Sequence, residues 1–137
     1  FLPDRLECGT LNIAGILSLR AGIAFVKKTG TAAIFQHETT CCNKLLSMLQ
    51  TMPQVTVYRQ PGAAYAPIVS FNIQHLSSEE TAELLDQKGF CLRAGLHCAP
   101  LAHRAIGTID GGTVRFAPSI FNTLPEVVAL GNAIRNL

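Results

Sequence analysis

The 137-residue chain has few charges and no concentration of them. Charged residues make up 15%, and the 11 basic and 9 acidic residues are interspersed apart from the pairs Lys27-Lys28 and Glu79-Glu80, for a formal net charge of +2. Without a basic stripe or an aromatic-basic motif, nothing electrostatic argues for a nucleic-acid partner. A long apolar run is missing too. The longest, Ile13 to Val26, is interrupted by Gly15, Ser18, Arg20 and Gly22 and falls short of the roughly 20 apolar residues of a membrane span. No charged segment and cleavage site precede it, so it does not read as a signal peptide. The cysteine count is odd: five, with Cys41 and Cys42 adjacent, a poor disulfide framework and no two-pair zinc signature. Reduced thiols in a reducing compartment, the cytoplasm by default, are the expectation. There are no internal repeats and no low-complexity tract. No methionine opens the chain at Phe1, so it reads as a piece of something longer.

What is present is an apolar, globular composition, 48% hydrophobic, enough for one domain that buries roughly two-thirds of its unfolded surface. Asn12 is placed to cap a helix running to about Lys28, with Lys27 and Lys28 favouring its C-terminal dipole and Gly30 as its stop. Its apolar residues Ile13, Ile16, Leu17, Leu19, Ile23, Phe25 and Val26 occupy more than one stripe and call for cover on several sides. That cover is either this domain's own core or a further domain. A second helix is expected from about Phe35 to Met52, ended by Pro53, followed by a strand at Val55 to Tyr58 and a turn at Gln60-Pro61-Gly62. Pro67 to Gln74 alternates, with Val69, Phe71 and Ile73 on one face, as a strand covered mainly on one side. Ser77-Ser78-Glu79-Glu80 offers a capping box for a helix ending near Lys88-Gly89. Phe90 to Arg93 and Gly112 to Ala117 read as two more strands, with Arg93 and Arg115 turned away from the apolar faces. Thr123-Leu124-Pro125-Glu126 is another capping box, ahead of a stripe of Val127, Leu130, Ile134 and Leu137. The expected order is α-α-β-β-α-β-β-α, an α/β (α+β) plan.

Chemistry concentrates in Gly95-Leu96-His97-Cys98-Ala99-Pro100. A thiol directly after an imidazole and five residues after the Arg93 guanidinium sits where positive charge favours the nucleophilic thiolate. Cys98 is therefore a candidate nucleophile, although free cysteines commonly pack as small hydrophobes. Arg93 and Arg115 suit a carboxylate or phosphate through the guanidinium fork, or equally an exposed ion pair. Cys91, His97, Cys98 and His103 are metal-ligand types, but their spacing is irregular and no metal is assigned. His103 and Arg104 open a short loop or helix, and His37, His75 and the Cys41-Cys42 pair carry no functional claim. Gly9-Thr10 precedes a helix N-terminus, where backbone N–H groups and a hydroxyl receive phosphate or merely cap the helix.

Pro3-Asp4-Arg5-Leu6-Glu7-Cys8-Gly9-Thr10-Leu11-Asn12, Arg93-Ala94-Gly95-Leu96-His97-Cys98-Ala99-Pro100, Thr113-Val114-Arg115-Phe116 and Phe121-Asn122-Thr123 together resemble the carboxy-terminal part of class V aminotransferase-fold cysteine desulfurases. The resemblance implies the small C-terminal domain of a fold-type I enzyme dependent on pyridoxal phosphate (PLP), with residues 1–12 leading in and residues 13–137 forming the domain. It implies that sulfur passes from L-cysteine to Cys98 as a persulfide, leaving L-alanine, with Arg115 on the substrate carboxylate and Arg93 as a second active-site arginine. Gly9 and Thr10 match a segment that reaches the cofactor phosphate across a homodimer, and His97 is a candidate for proton transfer. The compact Arg93-to-Cys98 spacing resembles desulfurases that hand sulfur to an acceptor protein, in work such as iron-sulfur cluster assembly. Lys27, Lys28, Lys44 and Lys88 match no cofactor lysine, so the piece alone is expected to be inactive. Leu11, where many desulfurases have proline, and Cys8 beside the Gly-Thr segment depart from the pattern. Another class V enzyme, such as one acting on selenocysteine, and a non-catalytic binding module are the alternative readings.

Overall fold

The computed structural model describes every residue except Glu7, Cys8 and Pro61, and the side chain of Asp4 is also outside the description. The Cys8 neighbour of the Gly-Thr segment and the centre of the expected Gln60-Pro61-Gly62 turn therefore lie outside the described residues. Two compact units are present, Phe1–Ile34 and Phe35–Leu137.

In the first unit a short 3-10 turn, Asp4–Leu6, precedes α1, Ile13–Thr29. The Asn12 side chain accepts from the Gly15 N–H at 2.9 Å, and the Gly30 N–H donates to the Val26 carbonyl, so the ends lie where the capping residues put them. Not one residue of α1 is buried. Its seven large apolar residues, Ile13 to Val26, stay 39–64% exposed.

The second unit holds one core. Helix α2, Thr31–Leu49, buries Cys41, Cys42, Leu45, Leu46 and Leu49, a spacing of three and four residues that keeps one helical face inward. Strands β1 (Val55–Val57), β2 (Val69–Ile73) and β3 (Val114–Phe116) form an antiparallel sheet in the order β1-β2-β3. Along β2, Val69, Phe71 and Ile73 are buried, whereas Ser70 and Asn72 are only half-buried. Val69 pairs with Phe116 and Phe71 with Val114, so the apolar face is continuous across both strands. It packs into one cluster with the α2 residues, with Leu85 of α3 (Ser78–Asp86) and with Val127, Leu130 and Ile134 of α5 (Leu124–Arg135). Both N-terminal signals are in place. The Ser77 hydroxyl accepts from the Glu80 N–H while the Ser77 N–H donates to the Glu80 carboxylate, and the Thr123 N–H donates to the Glu126 carboxylate at 2.7 Å.

The expected order needs two corrections. Phe90 to Arg93 is not a strand: one isolated antiparallel bridge joins Arg93 to Arg115, and Gly95, at a φ of 95°, turns the chain out of the ladder. The alternation nonetheless survives, with Phe90 and Leu92 packed on the core and Cys91 and Arg93 exposed. The second change is α4, Pro100–Ala105, started by a proline whose fixed φ suits the first helical turn. The order is thus α-α-β-β-α-α-β-α, a mixed α/β domain with a small three-stranded sheet. Among the described residues, no helix is long and apolar enough to cross a membrane.

Candidate active site

Strand β3 is the foundation of the site. Its parity with β2 places Val114 and Phe116 in the core and sets Arg115 opposite Ser70 on the other face. The preceding residue, Thr113, is fixed from both sides. Asn72 on β2 donates from Nδ2 to the Gly112 carbonyl at 3.0 Å and accepts the Val114 N–H at 3.3 Å through Oδ1, bracketing Thr113 like one more rung of ladder. Ser78 of α3 holds the Gly111 carbonyl at 2.6 Å.

The chemistry-bearing segment is fastened to this strand through its main chain. The Arg115 N–H donates to the Arg93 carbonyl at 2.8 Å and the Thr113 N–H to the Gly95 carbonyl at 3.2 Å. Gly112 makes that approach possible: a Cβ there would lie 2.5 Å from Cα and C of Gly95. Beyond Gly95 the chain makes a tight turn, closed by the Ala99 N–H on the Leu96 carbonyl at 2.8 Å. Its two central residues, His97 (φ 51°) and Cys98 (φ 58°), are both left-handed, as in a type I′ turn. Glycine and asparagine usually fill such positions, and a non-glycine residue there costs about 1–2 kcal/mol. The turn leaves Cys98 exposed.

His97 departs from the role of a cationic neighbour. Burial pushes its pKa down, against a hydrogen bond to Thr113 that raises it, and Arg115, His103 and Arg93 push it down further. The imidazole is held neutral, and it is the Arg115 and Arg93 guanidinium groups that bring positive charge to the ring's surroundings. Its Nε2 lies 3.0 Å from the Thr113 carbonyl, which requires the proton on that nitrogen. His103, buried in α4, stands 5.9 Å from it ring to ring and pairs through Nδ1 with Thr108 Oγ1 at 2.7 Å.

Three buried polar atoms find no partner among the described residues: His97 Nδ1, Thr113 Oγ1 and Arg115 Nε. All three belong to this one site. Buried polar groups are almost always satisfied, so such a cluster marks a surface built to meet a polar ligand or further polypeptide.

The remaining thiols are placed differently. Cys41 and Cys42 are buried in α2, and burial pushes the Cys42 thiol up to about 11; both are packing thiols. Cys91 is exposed and its thiol lies 3.8 Å from the Asp86 carboxylate. Among the described residues no group of three or more His, Cys, Asp or Glu side chains could hold a metal ion. An open cleft of about 320 Å³, lined by Phe90, Leu92, Phe116 and Leu130 among others, includes none of the candidate site residues. Gly9 (φ 82°) and Thr10 lie in the first unit, both exposed, just before the N-terminus of α1. Of the lysines, Lys27 and Lys28 lie in α1, Lys44 in α2 and Lys88 just after α3; none is in the turn or on β3.

Asn72, Gly112, Thr113 and Thr108 escape sequence reasoning. Asn72 reads as one outward position of an alternating strand, and only the pairing register shows that it reaches around Thr113.

Comparison with known proteins identifies the family. The family model "Aminotransferase class-V" matches residues 2–130. A probable cysteine desulfurase of Methanothermobacter thermautotrophicus is 33% identical over 137 residues, covering 98% of this chain and 34% of that protein. A cysteine desulfurase of Synechococcus elongatus is 34% identical over 139 residues, covering 98% of this chain and 21% of that protein. Among solved structures, the apo cysteine desulfurase of Thermococcus onnurineus superposes with a TM-score of 0.88 at 30% identity, covering 98% of this chain and 33% of that one. A cysteine desulfurase of Escherichia coli superposes with a TM-score of 0.84 at 25% identity, covering 98% and 32%. The chain thus spans about a third or less of the length of these relatives. With the match running almost from end to end and the fold shared, the chain belongs to the class V aminotransferase family.

Proposed function

We propose that the protein containing this chain is a PLP-dependent cysteine desulfurase, with Cys98 as the residue that accepts sulfur from L-cysteine. The observation that carries this reading is the exposed Cys98 on a strained turn fastened to the strand of Arg115, with three unpaired polar atoms shared between His97, Thr113 and Arg115 of those same segments. The relatives' names supply the reaction class. Arg115 Nε, buried and unpaired, suits the carboxylate of an amino-acid substrate, with Arg93 on the adjoining segment as a second cation. The Cys98 thiolate attacks the substrate sulfur. A sulfur–sulfur bond forms as the carbon–sulfur bond breaks, and the electron pair left on carbon takes up a proton to complete alanine. Fixing the substrate carboxylate relative to Cys98 aligns that attack.

Gly9 and Thr10 suit a phosphate: both are exposed just before a helix N-terminus, α1 has no acidic residue in its first turn, and Gly9 takes a left-handed φ of 82°. These are the residues of this chain that would hold the cofactor. Pyridoxal phosphate, when bound, withdraws electrons from the substrate's α-carbon. The enzyme is proposed to act as a homodimer and to pass its persulfide to an acceptor protein.

The deciding experiment is release of sulfide and alanine from L-cysteine by the full-length protein with PLP, wild type against Cys98→Ala. Release that disappears in the variant, with cofactor absorbance retained, is the expected result. Equal release from both proteins removes Cys98 from the reaction, and cofactor binding with no release from wild type points to another class V substrate.

A further inference from the structure

Four facts converge on His97. It occupies the first left-handed position of the turn that presents Cys98. Its ring reaches a carbonyl 16 residues further along the sequence, that of Thr113, at 3.0 Å. Thr113 is itself bracketed by Asn72, and Arg115 stands two residues further along the same strand. Among the described residues the turn itself makes no other hydrogen bond to β3 or its lead-in: the main-chain bonds from that strand end at Arg93 and Gly95, before the turn begins.

We propose that His97 is a positioning residue: its Nε2–H tethers the Leu96–Ala99 turn to β3, so that the nucleophile and the carboxylate-binding arginine are held as one rigid unit. This rests on the desulfurase reading above only for its kinetic consequence. The tether needs the proton to stay on Nε2, and the same nitrogen cannot shuttle a proton while it is bonded to a carbonyl. Neutrality suits this task, since burial and the neighbouring Arg115, His103 and Arg93 all oppose a second proton on the ring. A left-handed residue with a long side chain thus satisfies two demands. It accepts the turn's φ, where histidine is among the better tolerated residues, and it spans the gap to the strand.

Three variants of the full-length protein separate the roles. His97→Gln keeps a donor near the position of Nε2 but cannot relay a proton. His97→Asn suits the left-handed φ better but ends an atom short of the carbonyl. His97→Ala removes the donor. Positioning predicts that Gln retains kcat within about 3-fold of wild type, whereas Asn and Ala lose about 10–100-fold in kcat with little change in KM. Proton transfer predicts that Gln falls as far as Ala and that one limb of the pH–kcat profile disappears; that result overturns the proposal, as do three variants at wild-type rate.

Two further readouts do not depend on turnover. The rate at which iodoacetamide alkylates Cys98 should follow the tether, near wild type in His97→Gln and altered several-fold in His97→Ala and His97→Asn. If wild type releases no sulfide, the desulfurase reading fails while this comparison still decides the tether. If the variants do not fold, the long-range nitrogen spectrum of histidine-labelled wild type decides it instead. The neutral Nε2–H form should persist from about pH 7 to about pH 9. A ring carrying its proton on Nδ1 refutes the proposal.

Discussion

Substituting Gly112 by alanine tests how the turn is seated. The position has a φ of 61°, and a Cβ there would lie 2.5 Å from Cα and C of Gly95 and 2.6 Å from its carbonyl oxygen. All three are backbone atoms, so no side chain can swing away. Restoring ordinary contact requires the Gly95 segment to retreat by roughly 1 Å. Left-handed strain accounts for about 1 kcal/mol, after the gain from a stiffer unfolded chain is set against it. The forced retreat adds about 1–3 kcal/mol, for a total of about 2–4 kcal/mol. The same retreat strains the Thr113–Gly95 hydrogen bond, 3.2 Å long, and displaces the chain at Gly95, three residues before Cys98, where it enters the turn. A misplacement of that size costs up to about 100-fold in kcat. Two other glycines calibrate the result. Gly107 has a φ of 71° but open space where its Cβ would go, so Gly107→Ala should cost only about 1 kcal/mol. Gly111 has open space and no such φ, so Gly111→Ala should be close to neutral, within about 0.5 kcal/mol. Urea unfolding and steady-state sulfide release on the full-length protein read both consequences. A Gly112→Ala protein no less stable and no slower than Gly107→Ala would refute the steric argument and, with it, the seating of the turn on β3.

Asn72→Ala should cost about 1–3 kcal/mol, because it strips the Gly112 carbonyl and the Val114 N–H of their partner, and the denaturation midpoint reads it. On the proposed desulfurase reading, Arg115→Lys should raise KM for cysteine by about 10-fold or more in steady-state kinetics, since an ammonium cannot replace a guanidinium fork as the partner of a carboxylate. Truncating Phe71, fully buried at the centre of β2, to alanine should cost about 3–5 kcal/mol in the same unfolding assay. The lowered pKa of His97 predicts acid sensitivity. Above about pH 6.5 the imidazole is neutral whether the chain is folded or not; below it the unfolded chain takes up a proton that the folded site refuses, so stability falls with pH. The melting temperature of wild type should therefore drop more steeply than that of His97→Gln as pH falls through that value, and parallel curves would exclude His97 as the cause.

Elements whose signals are local were legible. Asn12 and Gly30 bound α1, the Ser77–Glu80 box opens α3, and the alternation of Val69, Phe71 and Ile73 identifies the core face of β2. The Phe90 to Arg93 strand misled because alternation records which face is buried, not whether a partner supplies hydrogen bonds. Here the core takes Phe90 and Leu92 while the ladder ends after one bridge. The six-residue α4 is too short for periodicity to reveal, and only its N-terminal proline announces it. Cys98, Arg93 and Arg115 stand out in the sequence by residue type, and the structure fastens the segment of Cys98 and Arg93 to the strand of Arg115. The cationic role expected of His97 was not sustained, because the direction of a ring depends on a turn that two adjacent left-handed residues create. Asn72 and Gly112 were invisible because their meaning lies in contacts 40 residues and 17 residues away, with Gly112 and Gly95.

The pairing of Val69 with Phe116 and of Ser70 with Arg115 also constrains how this sequence can vary. Side chains alternate along a strand, so a slip of β3 by a single residue would drive the Arg115 guanidinium into the core and lift Phe116 out of it. Neither is tolerable, so oily residues police the position of a charged one. Deleting one residue between Gly107 and Gly112 could not be absorbed by sliding the strand; the loop would have to stretch while the rungs stayed fixed. Diversification at this edge must therefore proceed by exchanging side chains rather than by changing length, and the same packing that stabilises the domain keeps its reactive groups in step.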